Sequence, residues 1–192
     1  MSNVQFDFTG ENFVVTGASS GMGKQVAVDL AQSGATVLAI ARREEKLRAL
    51  QEQFPDNIFI APLDVCDSDE LECAINEFVA DHGKLHGAVH AAGINNFTPL
   101  KSYDKKLAHD IMDTSFWAGV ELVRLTTKVK YAHKATSSVL FSSVCAISSE
   151  KGMFAYAAAK SAVNGCIGSL AKEICHKGHR VNSIMPGWVE NS

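Results

Sequence analysis

Short apolar runs alternate along this chain with longer segments of helical periodicity, and this alternation limits the possible folds more than any other feature of the sequence. Six apolar runs have the length and composition of buried strands, and they occupy residues 13–17, 36–41, 58–63, 85–93, 137–143 and 179–187. The segments with helical spacing are 21–34, 44–54, 67–83, 104–132 and 154–177. Strict alternation of strands and helices predicts an α/β fold, a doubly wound parallel sheet in a three-layer α/β/α arrangement.

The composition is that of a single soluble domain. The chain has 192 residues, of which 46% are hydrophobic and 20% are charged, so it is long enough for one core and too short for two. The net charge of −3 with mixed signs argues against a nucleic-acid partner. No apolar run approaches the roughly 20 residues that cross a bilayer, and the N-terminus lacks the layout of a signal peptide. We therefore expect residues 1–192 to form one cytoplasmic domain without a membrane partner.

The five cysteines stand at irregular spacings, and no CxxC pair occurs among them. This pattern indicates neither a zinc site nor a disulfide framework. We expect reduced cysteines packed in a cytosolic protein, and no metal.

A glycine-rich turn follows the first predicted strand and opens the first predicted helix. Gly17, Gly21 and Gly23 are spaced GxxxGxG, which differs from the commoner GxGxxG fingerprint. Glycines at these points permit a tight turn and let the backbone approach a pyrophosphate at a helix N-terminus, and Ser19 and Ser20 add hydroxyl donors. The alternative is a plain strand-to-helix turn, but the position after strand one favours dinucleotide binding.

The end of the second predicted strand bears on which dinucleotide is bound. Ala41 stands where an acid would hold a ribose 2′-hydroxyl, and Arg42 and Arg43 follow it. Guanidinium groups suit a phosphate, so the sequence favours NADP (NADPH) over NAD. The alternative is that both arginines only begin a solvated helix surface. Asp64, after the third strand, is predicted to reach the adenine amino group or else to cap the next helix.

Tyr156 and Lys160 are four residues apart in a predicted helix and so share one face. An ammonium group close to a phenol lowers the phenol pKa and prepares it for proton exchange with an alcohol or carbonyl. Ser143, at the end of the fifth predicted strand, would meet the phenol at the same edge of the sheet. The alternative is a half-exposed tyrosine above a snorkelling lysine.

Taken together, these segments resemble the short-chain dehydrogenase/reductase family, and in particular its NADP-preferring, 3-oxoacyl-reductase-like members. The matching sequences run in family order over nearly the whole chain: TGASSGMG at 16–23, LDV at 63–65, AAG at 91–93, Ser143, YAAAK at 156–160 and VNSIMPGWV at 181–189. The resemblance implies a Rossmann-type fold with strand order 3-2-1-4-5-6.

The resemblance also implies roles for individual residues. Ser143 would orient the substrate oxygen, Tyr156 would act as general acid/base, and Lys160 would lower the phenol pKa and bind ribose. Val189 would meet the nicotinamide carboxamide. With the arginines argued above, the predicted cofactor-binding set is Gly17, Ser19, Ser20, Gly21, Met22, Gly23, Arg42, Arg43, Asp64, Val65, Ala91, Ala92, Gly93, Tyr156, Lys160 and Val189.

Two departures from the family pattern concern the neighbourhood of this predicted site. His90 and Ala91 stand where the family has two asparagines, so a side-chain brace between strands is expected to be lost, and His90 is expected to be a packing residue. Ser115 replaces a family asparagine that holds a water near the lysine. A serine can still hold a water, and we keep Ser115 among the predicted catalytic residues.

The family usually continues for about 60 residues beyond the point that corresponds to Ser192, so a C-terminal lid and a last strand are expected to be absent here. Asn191 stands near a family threonine that contacts the carboxamide. The segments 104–132 and 154–177 resemble the helices through which family members form homodimers or homotetramers.

The sequence thus predicts an NADP-dependent oxidoreductase that interconverts a carbonyl and an alcohol on a small molecule. The alternative is a non-catalytic NADP-binding sensor or scaffold subunit of the same fold. The sequence does not identify the substrate.

Overall fold

The computed structural model describes residues 5–189 and contains one parallel sheet. Its strands are β1 (Asn12–Thr16), β2 (Thr36–Ala41), β3 (Ile58–Pro62), β4 (Leu85–His90), β5 (Ala132–Phe141) and β6 (Arg180–Ile184). Their order across the sheet is β3-β2-β1-β4-β5-β6, with every neighbouring pair parallel. This order confirms the predicted doubly wound topology. Strands β2 and β3 are added on one side of β1, and β4, β5 and β6 are added on the other.

Helices cover both faces of the sheet. They are α1 (Gly21–Gln32), α2 (Glu44–Gln51), α3 (Ser68–His82), α4 (Lys105–Met112), α5 (Ala118–Thr126) and α6 (Phe154–Ile174). A π turn, Asp113–Trp117, joins α4 to α5. Over residues 5–189, no helix combines the length and the apolarity that crossing a membrane requires.

The alternation of side chains along β1 divides the core between the two helical layers. Val14 belongs to a cluster that includes Leu71 and Ile75 of α3. Val15 points to the other face, where it joins Ala27 of α1 and Leu47 of α2. Because successive side chains of a strand point to opposite faces, a strand with apolar residues at consecutive positions must be covered on both sides, as the sequence pattern predicts.

The region 104–137 differs from its prediction. The single long helix expected over 104–132 is divided by the π turn and ends at Thr126, and β5 begins at Ala132 instead of 137. Ala132 pairs with Leu85 of β4, so backbone pairing extends the strand into a polar stretch that has no strand-like apolar run.

The loops at the carboxyl edge of the sheet begin earlier than predicted. β4 ends at His90 and β6 at Ile184, although the apolar runs extend to 93 and 187. Residues 91–93 and Ser143 therefore lie just beyond their strands, at the edge where doubly wound folds bind ligands.

Candidate functional site

The glycine turn lies against the end of β4 and needs its glycines for two reasons. Gly17 and Gly21 have φ values of +71° and +55°, which side chains rarely adopt. A Cβ on Gly17 would stand 2.7 Å from the carbonyl carbon of Ala91, and one on Gly23 would stand 2.5 Å from the Gly17 carbonyl oxygen. The turn therefore brings the start of α1, with its free N–H groups, to the carboxyl edge of the sheet.

A cavity of about 430 Å³ lies at this edge and gathers most of the predicted cofactor residues. Its glycine-lined wall suits a dinucleotide, whose phosphates would meet the N-terminus of α1. The residues that line the cavity are Gly17, Ser19, Ser20, Gly21, Met22, Gly23, Ala41, Arg42, Arg43, Leu63, Asp64, Val65, Ala91, Ala92, Gly93, Ile94, Asn95, Thr114 and Tyr156.

Arg43 joins the end of β2 to the glycine turn. Its Nη2 donates to Ser19 Oγ at 2.8 Å and to Ser20 Oγ at 2.7 Å, and its Nε donates to Ser19 Oγ at 3.2 Å. The Arg42 side chain is 71% exposed and makes only a long ion pair, with its Nη1 3.9 Å from Asp64 Oδ2. The two arginines thus differ in their contacts. The Arg43 guanidinium and the hydroxyls of Ser19 and Ser20 together form a phosphate corner, a group of donors suited to binding a phosphate.

Asp64 does not cap the next helix. Its Oδ1 accepts the Cys66 N–H at 3.0 Å within the loop, and Asp67 is the residue that caps α3, accepting from Asp69 N and Glu70 N. Asp64 and Val65 both line the cavity, and the second Asp64 oxygen faces Arg42. The sequence predicts that this part of the cavity binds the adenine.

Ser143 and Tyr156 meet where β5 ends and α6 begins. Ser143 Oγ accepts the Cys145 N–H at 3.2 Å, so its own O–H is available to donate. Burial raises the pKa of the Tyr156 phenol, the interaction with Ser143 lowers it, and Cys145 raises it further. Burial is the largest of these causes and the net shift is upward, and the expectation that Lys160 lowers this pKa stays a prediction.

Lys160 is buried directly behind the Tyr156 ring, with its Nζ 5.6 Å from the ring centroid. That Nζ donates to the Phe141 carbonyl at 2.7 Å, and Ser142 Oγ donates to the Lys160 carbonyl at 2.8 Å. Burial lowers the pKa of Lys160 to about 8. The lysine is therefore held from both ends by β5, with two ammonium protons left for other partners.

Ser115 lies in the π turn and is fully buried. Over the described residues 5–189, its Oγ is the one buried side-chain oxygen or nitrogen without a hydrogen-bond partner. A Cβ on Gly93 would stand 3.3 Å from Ser115 Oγ and 3.4 Å from Lys160 Nζ, so the hydroxyl and the ammonium face the same glycine. An orphaned hydroxyl in such a place fits a water beside the lysine.

His90 replaces the brace that the sequence was expected to lack. One ring nitrogen, Nδ1, lies 2.9 Å from Thr16 Oγ1 of β1, and Nε2 lies 3.0 Å from the Thr114 carbonyl. Burial, then the nearby Lys160, lower the pKa of His90 to about 4, against a hydrogen bond to Thr114 that raises it. His90 is thus a neutral, fully paired histidine that ties β4 to β1 and to the π turn, as a packing residue would.

Some predicted residues lie outside the cavity wall. Val189 is 51% exposed and does not line the cavity, and Lys160 reaches it only from behind Tyr156. Asn191 falls outside the described residues. Ala159, within the YAAAK motif, is fully buried in a cluster with Ile111 of α4.

Five residues of the cavity wall were not among the predicted cofactor residues: Ala41, Leu63, Ile94, Asn95 and Thr114. Ile94 and Asn95 directly follow the AAG motif, and Thr114 precedes Ser115. Adjacency to a motif was the only available signal, because none of these residue types carries distinctive chemistry.

The chain is similar to known proteins over almost its whole length. The family model described as short chain dehydrogenase matches residues 11–192. The 3-oxoacyl-(acyl-carrier-protein) reductase FabG of Escherichia coli (strain K12) is 29% identical over 184 residues, which are 96% of this chain and 75% of that protein. The protein of the same name from Staphylococcus aureus (strain Mu50) is 29% identical over 92% of this chain and 73% of its own length.

Solved structures give the same result. A short-chain type dehydrogenase/reductase from Mycobacterium ulcerans superposes with a TM-score of 0.91 at 29% identity, covering 97% of this chain and 70% of that one. A putative short-chain alcohol dehydrogenase from Sinorhizobium meliloti 1021 superposes with a TM-score of 0.89 at 29% identity, covering 98% of this chain and 76% of that one.

Proposed function

Because the chain belongs to the short-chain dehydrogenase family of oxidoreductases, we propose that it interconverts a carbonyl and an alcohol with NADP(H), using Tyr156 as general acid/base. The observation that carries this proposal is that Tyr156, which has Ser143 and Lys160 beside it, lines the same glycine-lined cavity as Arg43. A proton donor and a guanidinium group that line one cavity suit a reduced dinucleotide and a small carbonyl compound.

In the reductive direction, the Tyr156 hydroxyl gives its proton to the substrate oxygen, and the Ser143 hydroxyl donates a hydrogen bond to that oxygen as negative charge develops. The raised phenol pKa keeps Tyr156 protonated near neutral pH, ready to act as the acid. A bound nicotinamide would supply the hydride. The Cys145 N–H holds Ser143 Oγ in place for this task.

Lys160 has two functions in the proposal. Its carbonyl and its Nζ are both anchored at the end of β5, and its remaining ammonium protons would be available to a ribose hydroxyl and a water. Ser115 Oγ would hold that water next to Gly93, and the water, resupplied from solvent, would pass a proton through Lys160 to the phenolate left on Tyr156. Ser115 thus takes the position of the family's asparagine with a shorter side chain.

The NADP preference rests on Arg43 with Ser19 and Ser20, and on the exposed Arg42 beside them. No acid stands at the end of β2 to hold a 2′-hydroxyl and repel a 2′-phosphate, because that position is Ala41. Asp64 and Val65 would then contact adenine.

We further propose that the chain assembles as a homodimer or homotetramer through the helical segments 104–132 and 154–177, and that it acts in the cytoplasm on a small molecule. The cysteines among the described residues are all free thiols, which supports the proposed cytoplasmic location.

A non-catalytic NADP-binding subunit is the second candidate. Ser115 favours it, because a serine has a shorter reach and fewer hydrogen-bonding groups than the asparagine that the family has at this position. The two candidates differ in one measurable respect, which is turnover by a chain that binds cofactor.

The test is to mix the full chain with NADPH and a panel of ketones and 3-oxoacyl thioesters, and to follow NADPH absorbance. We expect turnover with at least one class, and we expect Tyr156→Phe to lose about 100-fold or more of it with NADPH affinity unchanged, because only the proton donor is removed. Tyr103→Phe, an exposed tyrosine that packs on Phe154 at 5.6 Å, is the matched control and should keep its activity. NADPH binding without turnover would instead favour the non-catalytic candidate.

A further inference from the structure

A second cavity, of about 560 Å³, lies at the amino edge of the sheet, opposite the site described above. Five of the residues that line it are basic: Lys84, His133, Lys134, Lys177 and His179. They come from the starts of β4, β5 and β6, so parallel strands bring three separate chain segments to one point. We call this the basic cavity.

The positive charge of the basic cavity is not neutralised by the protein. None of its lining residues is acidic, and within residues 5–189 none of Lys84, Lys134 and Lys177 takes part in an ion pair. Lys84 Nζ donates instead to the Val129 carbonyl at 2.8 Å. In a chain whose net charge is −3, three uncompensated ammonium groups around one cavity form a local positive potential.

His179 adds a fixed neutral donor to this wall. The residue is only 5% exposed, and its Nδ1 accepts the Thr136 backbone N–H at 3.1 Å. A backbone N–H can only donate, so Nδ1 carries no proton in the neutral ring and Nε2 does. Burial, Lys177 and His176 all lower the pKa of His179, which keeps the ring neutral with its Nε2–H available in the cavity wall.

Two neighbouring residues that do not line the basic cavity, His86 and Glu11, change its positive charge only slightly. His86 stacks on His133 with ring centroids 4.5 Å apart, and His86 Nδ1 accepts the Asn12 N–H. Burial and then His133 lower the pKa of His86, against a smaller opposing effect of Glu11.

We propose that the basic cavity binds a phosphate group carried by a small organic molecule. Lys134, Lys177 and the His179 imidazole would supply charge-assisted and neutral hydrogen bonds to one phosphate, and Val129 and Ala132 would contact the organic part. The volume exceeds what a bare ion fills and lies within the range of small-molecule sites. This site is separate from the cofactor cavity and independent of the proposed reaction.

The test is isothermal titration of the full chain, at constant ionic strength, with glycerol 3-phosphate and with inorganic phosphate. We expect both probes to bind, and Lys134→Gln combined with Lys177→Gln to weaken binding by about tenfold or more, since two charge-assisted hydrogen bonds are lost. Tighter binding of glycerol 3-phosphate would indicate an organic phosphate, and equal binding would indicate that only the phosphate is recognised.

Two controls locate the site. Lys46→Gln combined with Lys105→Gln removes the same charge from exposed positions outside the cavity and should leave binding unchanged. Arg43→Ala disables the phosphate corner of the cofactor cavity and should also leave it unchanged. The His179 imidazole resonance should shift as phosphate is added. Any one of three outcomes would overturn the proposal. These are equal phosphate binding by the two double variants, loss of binding in Arg43→Ala alone, and a His179 resonance that does not shift.

Discussion

Arg43 is the residue whose contacts bear most directly on cofactor preference. Its guanidinium is fixed by Ser19 and Ser20, so it needs little further ordering to bind a 2′-phosphate. We expect Arg43→Ala to weaken NADPH by about tenfold and NADH hardly at all, since a charge-assisted hydrogen bond contributes about 1.5–3 kcal/mol. Binding can be followed by nicotinamide fluorescence.

Arg42→Ala is the matched comparison, because Arg42 is exposed and makes only a long ion pair. We expect it to discriminate between the two cofactors in the same direction but by a smaller factor. Equal weakening of NADPH and NADH in both variants would contradict the assignment of a 2′-phosphate to this corner.

Lys160 should make stability depend on pH in a defined window. Its folded pKa, lowered by burial to about 8, lies below the ordinary lysine value of 10.5. Between these two values the unfolded chain holds the proton and the folded chain does not, so the free energy of unfolding rises with pH across that window. We expect the difference in unfolding free energy between the natural chain and Lys160→Met to grow in favour of the natural chain as pH rises from 8 to 10.5.

Urea denaturation at a series of pH values measures this difference. Lys172→Met, an exposed lysine on the same helix, controls for loss of a charge and should give a difference that stays flat. Parallel curves for Lys160→Met and the natural chain would mean that the buried ammonium keeps its proton throughout.

At the scale of elements, a contact between two loops holds the start of α6. The Gly152 carbonyl accepts both the backbone N–H and the Oγ1 of the buried Thr98, at 2.6 and 3.2 Å. Gly152 has a φ of +80°, and a Cβ there would stand 2.1 Å from the Phe97 ring. Because α6 begins two residues later, this contact sets the position of the turn that carries Tyr156.

We expect Gly152→Ala to destabilise the fold by about 1–3 kcal/mol and to lower turnover, since backbone strain and the clash with Phe97 act together. Gly10→Ala is the matched control, because Gly10 has a φ of +81° and nothing within 4 Å of its Cβ position. It should show the backbone strain alone, with turnover unchanged. Thermal denaturation and the ketone assay separate the two effects, and equal turnover in both variants would show that the loop contact does not position Tyr156.

For the whole molecule, the sheet was predictable because strands such as β1 are apolar at consecutive positions and must be buried on both faces. The division of the helix at Ser115 and the early start of β5 at Ala132 were not, because π turns and strand pairing depend on partners distant in sequence. The contacts of Arg43 and the net pKa shift of Tyr156 were hidden for the same reason. Both depend on burial and on neighbours that only the folded chain brings together.

Two exposed glycines on α6 bear on how whole molecules assemble. Gly165 and Gly168 lie exposed on α6, and a Cβ at either position would meet nothing within 4 Å. Glycine inside a helix costs about 0.5–1 kcal/mol relative to alanine, and close approach by a second helix is one reason to keep it there. We therefore expect the chain to sediment as a dimer or tetramer at micromolar concentration, with α6 in the interface.

Gly165→Arg should shift the sedimenting species toward monomer, because a long charged side chain would keep two such helices apart. Gln53→Arg, which places the same side chain at an exposed position just after α2, should sediment like the natural chain. The exposed Trp117 of the π turn gives a second reading, since its fluorescence should change on dissociation if the segment 104–132 shares the interface. A natural chain that sediments as a monomer, or a Gly165→Arg variant that keeps the natural assembly, would remove α6 from the interface.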